Sequence, residues 1–323
     1  MFEKAEYIWA LYETGSFSRA AEKLFISQPS LSAAIKKEEE RLGAPLFERK
    51  SSGVTLTEVG EEYIKALSEV RRIDENLRRK LDDIYNVKSG HITVGGTNYL
   101  SSYVLPGIIK SFSSKHPNVE VTLKEGNSAL LSKLLEDEQI DIVIDSFDEN
   151  MDAYCGYRLA KERIFLCVPS DRKINDDWKE YRIHPEEIYN GTVDPDSISP
   201  VDLKAFRKES FVLLKPENDM YRRAMSIFKH YRINPKVLLS VDQLNISYAL
   251  ASSGMGLCFA TDTLFRFGRF RENVVLYNIE KSHSDRVLYV AYKKNRYCTH
   301  AMREFINTAK EQIGERFAPI SSD

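Results

Sequence analysis

Residues 58–88 constrain the fold of this chain more than any other stretch. Val59, Tyr63, Ala66, Val70, Ile73 and Leu77 step by four, three, four, three and four. That is the period of an a/d seam, and charged residues fill the other faces. Leu81 and Ile84 continue the seam after a small phase shift. The pattern predicts one long helix, which has nowhere to bury such a seam by itself. Pairing with another subunit is therefore expected, the alternative being packing against its own chain.

The residues before it, 1–58, read as short helices and turns. Tyr7, Ile8 and Leu11 give a first helix an apolar face that ends near Gly15. Ser18 is placed to cap a second helix, SRAAEKLF, with Ala20, Ala21 and Leu24 facing inward. After a tight turn, Ser27 or Gln28 caps a third helix. Pro29 falls in its first turn, where a missing N–H costs nothing. Two short helices about a tight turn form a helix-turn-helix. The stretch LFERKSSGVTLT then offers two extended pieces around Ser-Ser-Gly, which suits a β-wing.

From His91 onward strands alternate with helices. ITVGG, VEVTL and IDIVI read as strands, separated by the helical stretches YLSSYVLPGIIKSFSSK and SALLSKLLEDEQ. RIFLCVP, SFVLL, VLLSV, GLCFA and RVLYVAY follow, with YRRAMSIFKHY and QLNISYALASSG as helices. The repeated βαβαβ order predicts two doubly wound α/β subdomains. Residues 171–209, rich in Asp, Pro and Ser, look like an inserted loop. The expected organisation is a headpiece at 1–58 and a linker and dimerisation helix at 59–90. One subdomain is expected at 91–162 with 283–315, and a second at 163–282 carrying the insertion.

Composition narrows the chemistry. With 323 residues and a net charge of -2, the chain is long enough for two or three domains and does not advertise nucleic-acid binding. Residues 1–58 hold eight Lys plus Arg against nine Glu, so any DNA argument rests on local placement. Cys155, Cys167, Cys258 and Cys298 have no CxxC spacing, and the six histidines no HExxH pair, so neither metal nor disulfide is expected. No cofactor is expected either, since GGTN lacks the rest of a dinucleotide fingerprint; a GxSxG elbow is absent too. MFEKAEYIW lacks a signal pattern, and no run approaches the ~18 apolar residues of a spanning helix. A cytoplasmic protein with no membrane partner is expected.

Residues 1–90 resemble the DNA-binding end of a LysR-type transcriptional regulator. The matching words are GSFSRAAEKL, SQPSLSAAI, RLG, LFERKSSGVTLTEVGE and the long helix. Weaker words, LPGIIKSF, EGNSALLSKL, IDIVI, SFVLL and ASSGMGL, are similar to that family's effector domain, which is like a type 2 periplasmic binding protein. The resemblance implies a winged helix-turn-helix, a linker helix and an α/β effector domain. It implies promoter or operator DNA and a small-molecule effector as partners, with a homodimer through the linker helix and a homotetramer as a further assembly. A ligand-binding protein without DNA function, a structural DNA-binding protein and an enzyme are the competing readings.

A recognition helix puts its N-terminal residues at base edges. Residues four apart share a face, so Gln28, Ser32 and Lys36 form one line and Leu31, Ala34, Ile35 and Leu42 the buried one. Gln bonds adenine, Ser either kind of base edge, and Lys guanine or phosphate. Ser27, Pro29, Ser30 and Lys37 flank this face, and Ser18, Arg19 and Lys23 are candidates from the second helix. Arg49 matches the family's wing arginine. Glu38 stands where the family has leucine; its stem is expected to pack and its carboxylate to reach solvent or a neighbouring base.

Ligands of doubly wound folds lie beyond the carboxyl ends of strands. Thr97, Asn98 and Tyr99 follow the first strand, Asn127 and Ser128 the second, and Asp145 and Ser146 the third. Asn218 and Asp219 follow SFVLL; Asp242 and Gln243 follow VLLSV; Gly254 and Gly256 allow a tight turn near the cleft. Exposed amides at the helix starts favour a carboxylate, while the mix of Asp, Asn and Tyr points to a polar ligand bearing an amine.

Overall fold

The computed structural model describes residues 4–50, 53–85, 90–146, 152–268 and 273–317. The chain divides into two units, Met1–Asp82 and Asp83–Asp323.

In the first unit α1 (Ala5–Thr14) ends at Gly15, which takes a left-handed φ of 60°. Helix α2 (Phe17–Lys23) begins earlier than expected, its N-cap position falling at Ser16, two residues before Ser18. The apolar period already starts at Phe17, which packs on the core. Helix α3 (Gln28–Leu42) starts on Ser27, whose hydroxyl accepts the Ser30 N–H at 3.3 Å. Strands β1 (Phe47–Lys50) and β2 (Gly53–Leu56) pair antiparallel as the wing. Ile8, Leu11, Ala20, Leu31, Ile35 and Leu46 form the core beneath them.

Helix α4 (Glu58–Tyr85) is the long helix, but its seam is not uniform. Tyr63, Ile64 and Leu67 are buried in the headpiece, so Tyr63 leaves the seam. The first turns must present one face to that core, and this overrides the heptad. Val59, Val70, Ile73, Leu77, Leu81 and Ile84 stay exposed.

The second unit opens with β3 (Gly90–Gly96), α5 (Asn98–Tyr103), α6 (Leu105–Lys115), β4 (Val119–Glu125), α7 (Ser128–Glu136) and β5 (Ile142–Asp145). Strand β3 lies parallel to both β4 and β5. The stretch expected as one helix breaks at Val104, because Pro106 in the first turn of α6 has no N–H for α5 to continue through. A Cβ on Gly96 would come within 2.6 Å of Leu105 Cδ1 and 3.1 Å of Ser101 Oγ, so a larger residue there would make these side chains shift.

A 16-residue strand, β6 (Tyr154–Pro169), follows. After it come α8 (Pro185–Asn190), β7 (Ser210–Leu214), α9 (Asp219–Tyr231), β8 (Lys236–Val241), α10 (Leu244–Ser252) and β9 (Cys258–Thr261). Then come α11 (Asp262–Phe267), β10 (Val274–Asn278), α12 (Lys281–Ser284), β11 (Asp285–Lys293) and α13 (His300–Phe317). The sheet order is β10-β6-β11-β5-β3-β4, with β9 also on β6. The first part of β6 pairs with β11 and its last part with β9 and β10, so one strand serves two sheet regions. Strands β7 and β8 pair in parallel, and Phe211 bridges to Leu257. Residues 171–209 are not a loose loop. They form 3-10 turns and α8 and bury Ile183, Ile188, Leu203 and Phe206.

Candidate DNA-binding face and effector cavity

The outer line of α3 is open. Gln28, Pro29, Ser30, Lys36 and Lys37 are exposed and Ser32 is half-buried, while Leu31 and Ile35 turn inward. Ser27 and Ser30 hydroxyls lie 2.7 Å apart, and the Ser18 hydroxyl donates to Gln28 Oε1 at 3.1 Å. That contact sets Ser18 beside Gln28 on the exposed side of the two helices. Lys36 lies 3.8 Å from Glu40, an exposed pair that yields readily to a phosphate. Arg19 donates to the Thr14 carbonyl, and Lys23 pairs with Glu13. Arg49 sits in the wing opposite Val54, and its side chain lies outside the described residues. Phe25 escaped the sequence reading. It turns the chain between α2 and α3 with a φ of 54° and is 97% exposed. A bulky residue rarely holds a left-handed φ.

Of the two outcomes expected for the Glu38 carboxylate, solvent or a neighbouring base, the second holds, and the base is Arg41. Glu38 is buried, and its carboxylate does not reach solvent. Arg41 Nε donates to it at 3.0 Å, as does the Tyr63 hydroxyl at 3.0 Å. The Arg41 hydrogen bond holds its carboxyl below the ordinary value, against the burial that raises it. Glu38 thus ties the recognition helix to the start of α4. Glu39 accepts the N–H groups of Leu46 and Phe47 at 2.7 and 3.2 Å, holding the entry to the wing. Both acids serve the headpiece's own packing.

In the second unit the strand ends and helix starts converge on a cavity of about 320 Å³. Thr97, Asn98, Tyr99, Asn127, Ser128, Asp145, Asn218, Asp219, Asp242 and Gln243 line it, so ten of the eleven polar residues expected at the strand ends meet there. Ser146 does not; it is buried behind the wall with its hydroxyl 3.3 Å from Asp219 Oδ2. Gly254, at a φ of 82°, shapes the turn after α10 but does not line the cavity, nor does Gly256.

Arg286, at the start of β11, forms the floor. It pairs with the fully buried Glu162, and its guanidinium lies 3.1 Å from both Asp219 Oδ2 and the Tyr99 hydroxyl. Tyr99 in turn donates to Glu162 at 3.0 Å. Burial pushes Glu162 and Asp219 upward, but the Arg286 charge and the groups beside it leave both below the ordinary carboxylate range. Asp145 is different. Burial pushes it up to about 6, against the Ser128 hydroxyl, the Arg286 charge and the Ser146 N–H. The sequence reading missed Glu125, Lys215, Glu217 and Arg286 as cavity residues. The first three sit at or just past strand ends, so the rule that found Asn127 and Asn218 reaches them too.

Comparisons with known proteins agree with this architecture. The model of the bacterial regulatory helix-turn-helix proteins of the lysR family matches residues 2–61, and that of the LysR substrate binding domain matches 86–190 and 195–314. The chain belongs to the LysR family and is a transcriptional regulator with a helix-turn-helix DNA-binding domain and an effector-binding domain. It is 26% identical over 317 residues to the HTH-type transcriptional regulator YcgK of Bacillus subtilis, covering 97% of this chain and 94% of that one. A full-length OxyR variant from Pseudomonas aeruginosa shares the fold at a TM-score of 0.61 and 20% identity, covering 94% of this chain and 93% of that one. Full-length CbnR, solved with its target DNA, gives a TM-score of 0.57 at 16% identity over 97% of this chain and 99% of that one. Among the described residues no helix is long and apolar enough to cross a membrane.

Proposed function

We propose that the cavity receives a small molecule carrying a cationic nitrogen, and that its occupancy modulates operator binding by the headpiece. The cavity's charge carries this reading. Five carboxylates face it (Glu125, Asp145, Glu217, Asp219 and Asp242) against two cations, Lys215 and Arg286. Lys215 is already 2.8 Å from Asp242, and Arg286 pairs with Glu162 and Asp219. Among the described residues Glu125, Asp145 and Glu217 have no cation at ion-pair distance. A cation held against these carboxylates in the partly sheltered cleft gains more from them than it would in bulk water. Any carboxylate on the same molecule finds the N–H groups at the start of α7. The protein then acts by binding alone, without catalysis, in the cytoplasm.

This reading has a pH signature. The folded Asp145 carboxyl sits near 6, so it is largely neutral at pH 5 and ionised at pH 7. A cationic ligand needs the ionised form, and its affinity should rise with pH by up to about tenfold per unit below the pKa. Calorimetric titration of amino compounds from pH 5 to 8 checks this; affinity that is flat or greatest at pH 5 would falsify the role of Asp145. In the empty protein the sign reverses. A carboxyl raised in the folded state loses stability as pH climbs from its unfolded value through 6.

For DNA, the proposed readers are Gln28, Ser32 and Lys36. Ser27, Pro29, Ser30, Lys37, Arg19, Lys23 and Arg49 are proposed to position the backbone, and Ser18 to hold Gln28. Gln28→Ala is expected to cost about 1–3 kcal/mol on the operator and little on unrelated DNA. Lys37→Ala should weaken all sequences alike and flatten the salt dependence. Mobility shifts on operator and scrambled duplexes separate the two, and equal loss on both duplexes for Gln28→Ala would remove it from the reading face. The exposed stripe of Val70, Ile73, Leu77, Leu81 and Ile84 fits a second copy of α4, giving the homodimer that places two headpieces on one site.

A further inference from the structure

We infer a divalent transition-metal site on the surface of the second unit, formed by His230, Glu280 and His283. The imidazole nitrogens and carboxylate oxygen that these residues offer all lie within 4.8 Å of one another. His230 Nε2 is 3.1 Å from Glu280 Oε2, and the two imidazole rings have centroids 4.3 Å apart. Chain spacing hides the cluster, because His230 ends α9 while Glu280 and His283 belong to the turn of α12. The backbone holds the latter two together, with the His283 N–H donating to the Glu280 carbonyl at 2.9 Å.

Two imidazoles and one carboxylate form a borderline donor set, which suits Zn²⁺ and its neighbours in preference to Ca²⁺ or Mg²⁺. Three protein ligands leave a fourth tetrahedral position to water. Side-chain rotations suffice to bring the donors to coordination distance, since His230 and Glu280 are exposed and their backbones need not move. Solvent access also gives the metal a path in.

The site joins two segments that meet again at the effector cavity. Helix α9 begins at Asp219 and ends beside His230, and His283 precedes Arg286 by three residues. Asp219 and Arg286 form the ion pair of the cavity floor. A metal therefore clamps α9 to the α12–β11 segment at the far end from that pair, about 16 Å along the helix. Metal and effector occupancy become linked through the same two segments.

The test is Zn²⁺ binding to the full chain by calorimetry, with Co²⁺ as a visible-absorption probe. Wild type should bind one equivalent through this site, and His230→Ala, Glu280→Gln and His283→Ala should each weaken it at least tenfold. Because His230 and Glu280 are exposed, their metal-free variants should melt as wild type does, so a lost site is separable from a lost fold. A Cys155→Ser, Cys298→Ser double variant guards against thiol capture and should bind unchanged. The inference is overturned if wild type binds no Zn²⁺, or if the histidine variants bind as wild type while the cysteine variant does not.

Discussion

Replacing Arg286 with methionine is expected to destabilise the second unit by about 3–5 kcal/mol at pH 7. That is roughly a 10 °C fall in melting temperature for a unit of this size. The cause is Glu162, which is fully buried and whose cation is Arg286. Asp219 suffers less, because Arg223 remains 2.6 Å away. Removing one member of a buried pair leaves the other charge with no opposite charge beside it and no water to replace it. The pH dependence gives the stricter check. In wild type Glu162 titrates below the ordinary value, so its stabilising contribution is present above the unfolded pKa and is lost on acidification. In the variant the Arg286 charge and hydrogen bond are gone, and burial, opposed now only by neutral hydroxyl donors such as Tyr99, lifts the carboxyl above its unfolded value. Stability must then fall as pH rises from about 4.3 toward neutrality, the opposite slope. Thermal melts of both proteins at pH 5 and 7 show whether the gap narrows in acid. A double variant, Glu162→Gln with Arg286→Met, should recover much of the loss; if it melts no higher than Arg286→Met alone, the buried charge is not the cause.

That ion pair also marks where sequence reading reaches its limit. Gln28, Ser32 and Lys36 were legible because helical period alone puts them on one face, and the capping serine and proline set where the helix starts. The ten cavity residues were legible because doubly wound folds gather strand ends. Arg286 lies instead at the beginning of its strand, where that rule does not look, and it reaches the cavity because β11 runs antiparallel to β5 and β6. Strand direction is a tertiary fact, and no local pattern in RVLYVAY encodes it. The first part of β6 was missed for a related reason: YCGYRLAKE carries too many polar residues to read as a strand until β11 is known to cover one edge.

Glu38 and the seam of α4 show the same limit within the headpiece. Helical period correctly put position 38 on the buried line, and burial rules correctly forbade a lone carboxylate there. What period could not supply was Tyr63, twenty-five residues away, whose hydroxyl completes the site. The heptad register had assigned that tyrosine to an intersubunit seam. One long-range contact decides both cases: Tyr63 belongs to the headpiece because Glu38 and the core of α3 need it, and the exposed stripe properly resumes at Val70.

The contact between α4 and the wing leads to the second large effect, expected for Gly60→Ala. On helix propensity this substitution should help, by close to 1 kcal/mol, since alanine replaces glycine inside a helix. The structure reverses the sign. A Cβ on Gly60 would lie 2.0 Å from the Leu46 carbonyl oxygen, and the neighbour it meets is backbone, not a flexible side-chain end. That oxygen already accepts the Thr57 N–H at 3.0 Å, and the Thr57 hydroxyl donates to the Pro45 carbonyl at 2.7 Å. To admit the methyl, the first turn of α4 must back away from residues 45–46 and give up both bonds. Overpacking of this kind costs about 1–3 kcal/mol, and lost hydrogen bonds add about 1 kcal/mol each. A net loss of roughly 3 kcal/mol is expected for the headpiece, with operator affinity falling because Glu39 loses its fixed hold on the wing. Trp9 in the headpiece and Trp178 in the second unit are the chain's two tryptophans. A Trp178→Phe background therefore lets fluorescence follow the headpiece alone in the full chain. Unfolding of the second unit, followed with Trp178 in a Trp9→Phe background, should not change. If Gly60→Ala raises the headpiece midpoint, propensity has won, and the close approach of α4 to the wing is not what requires glycine here.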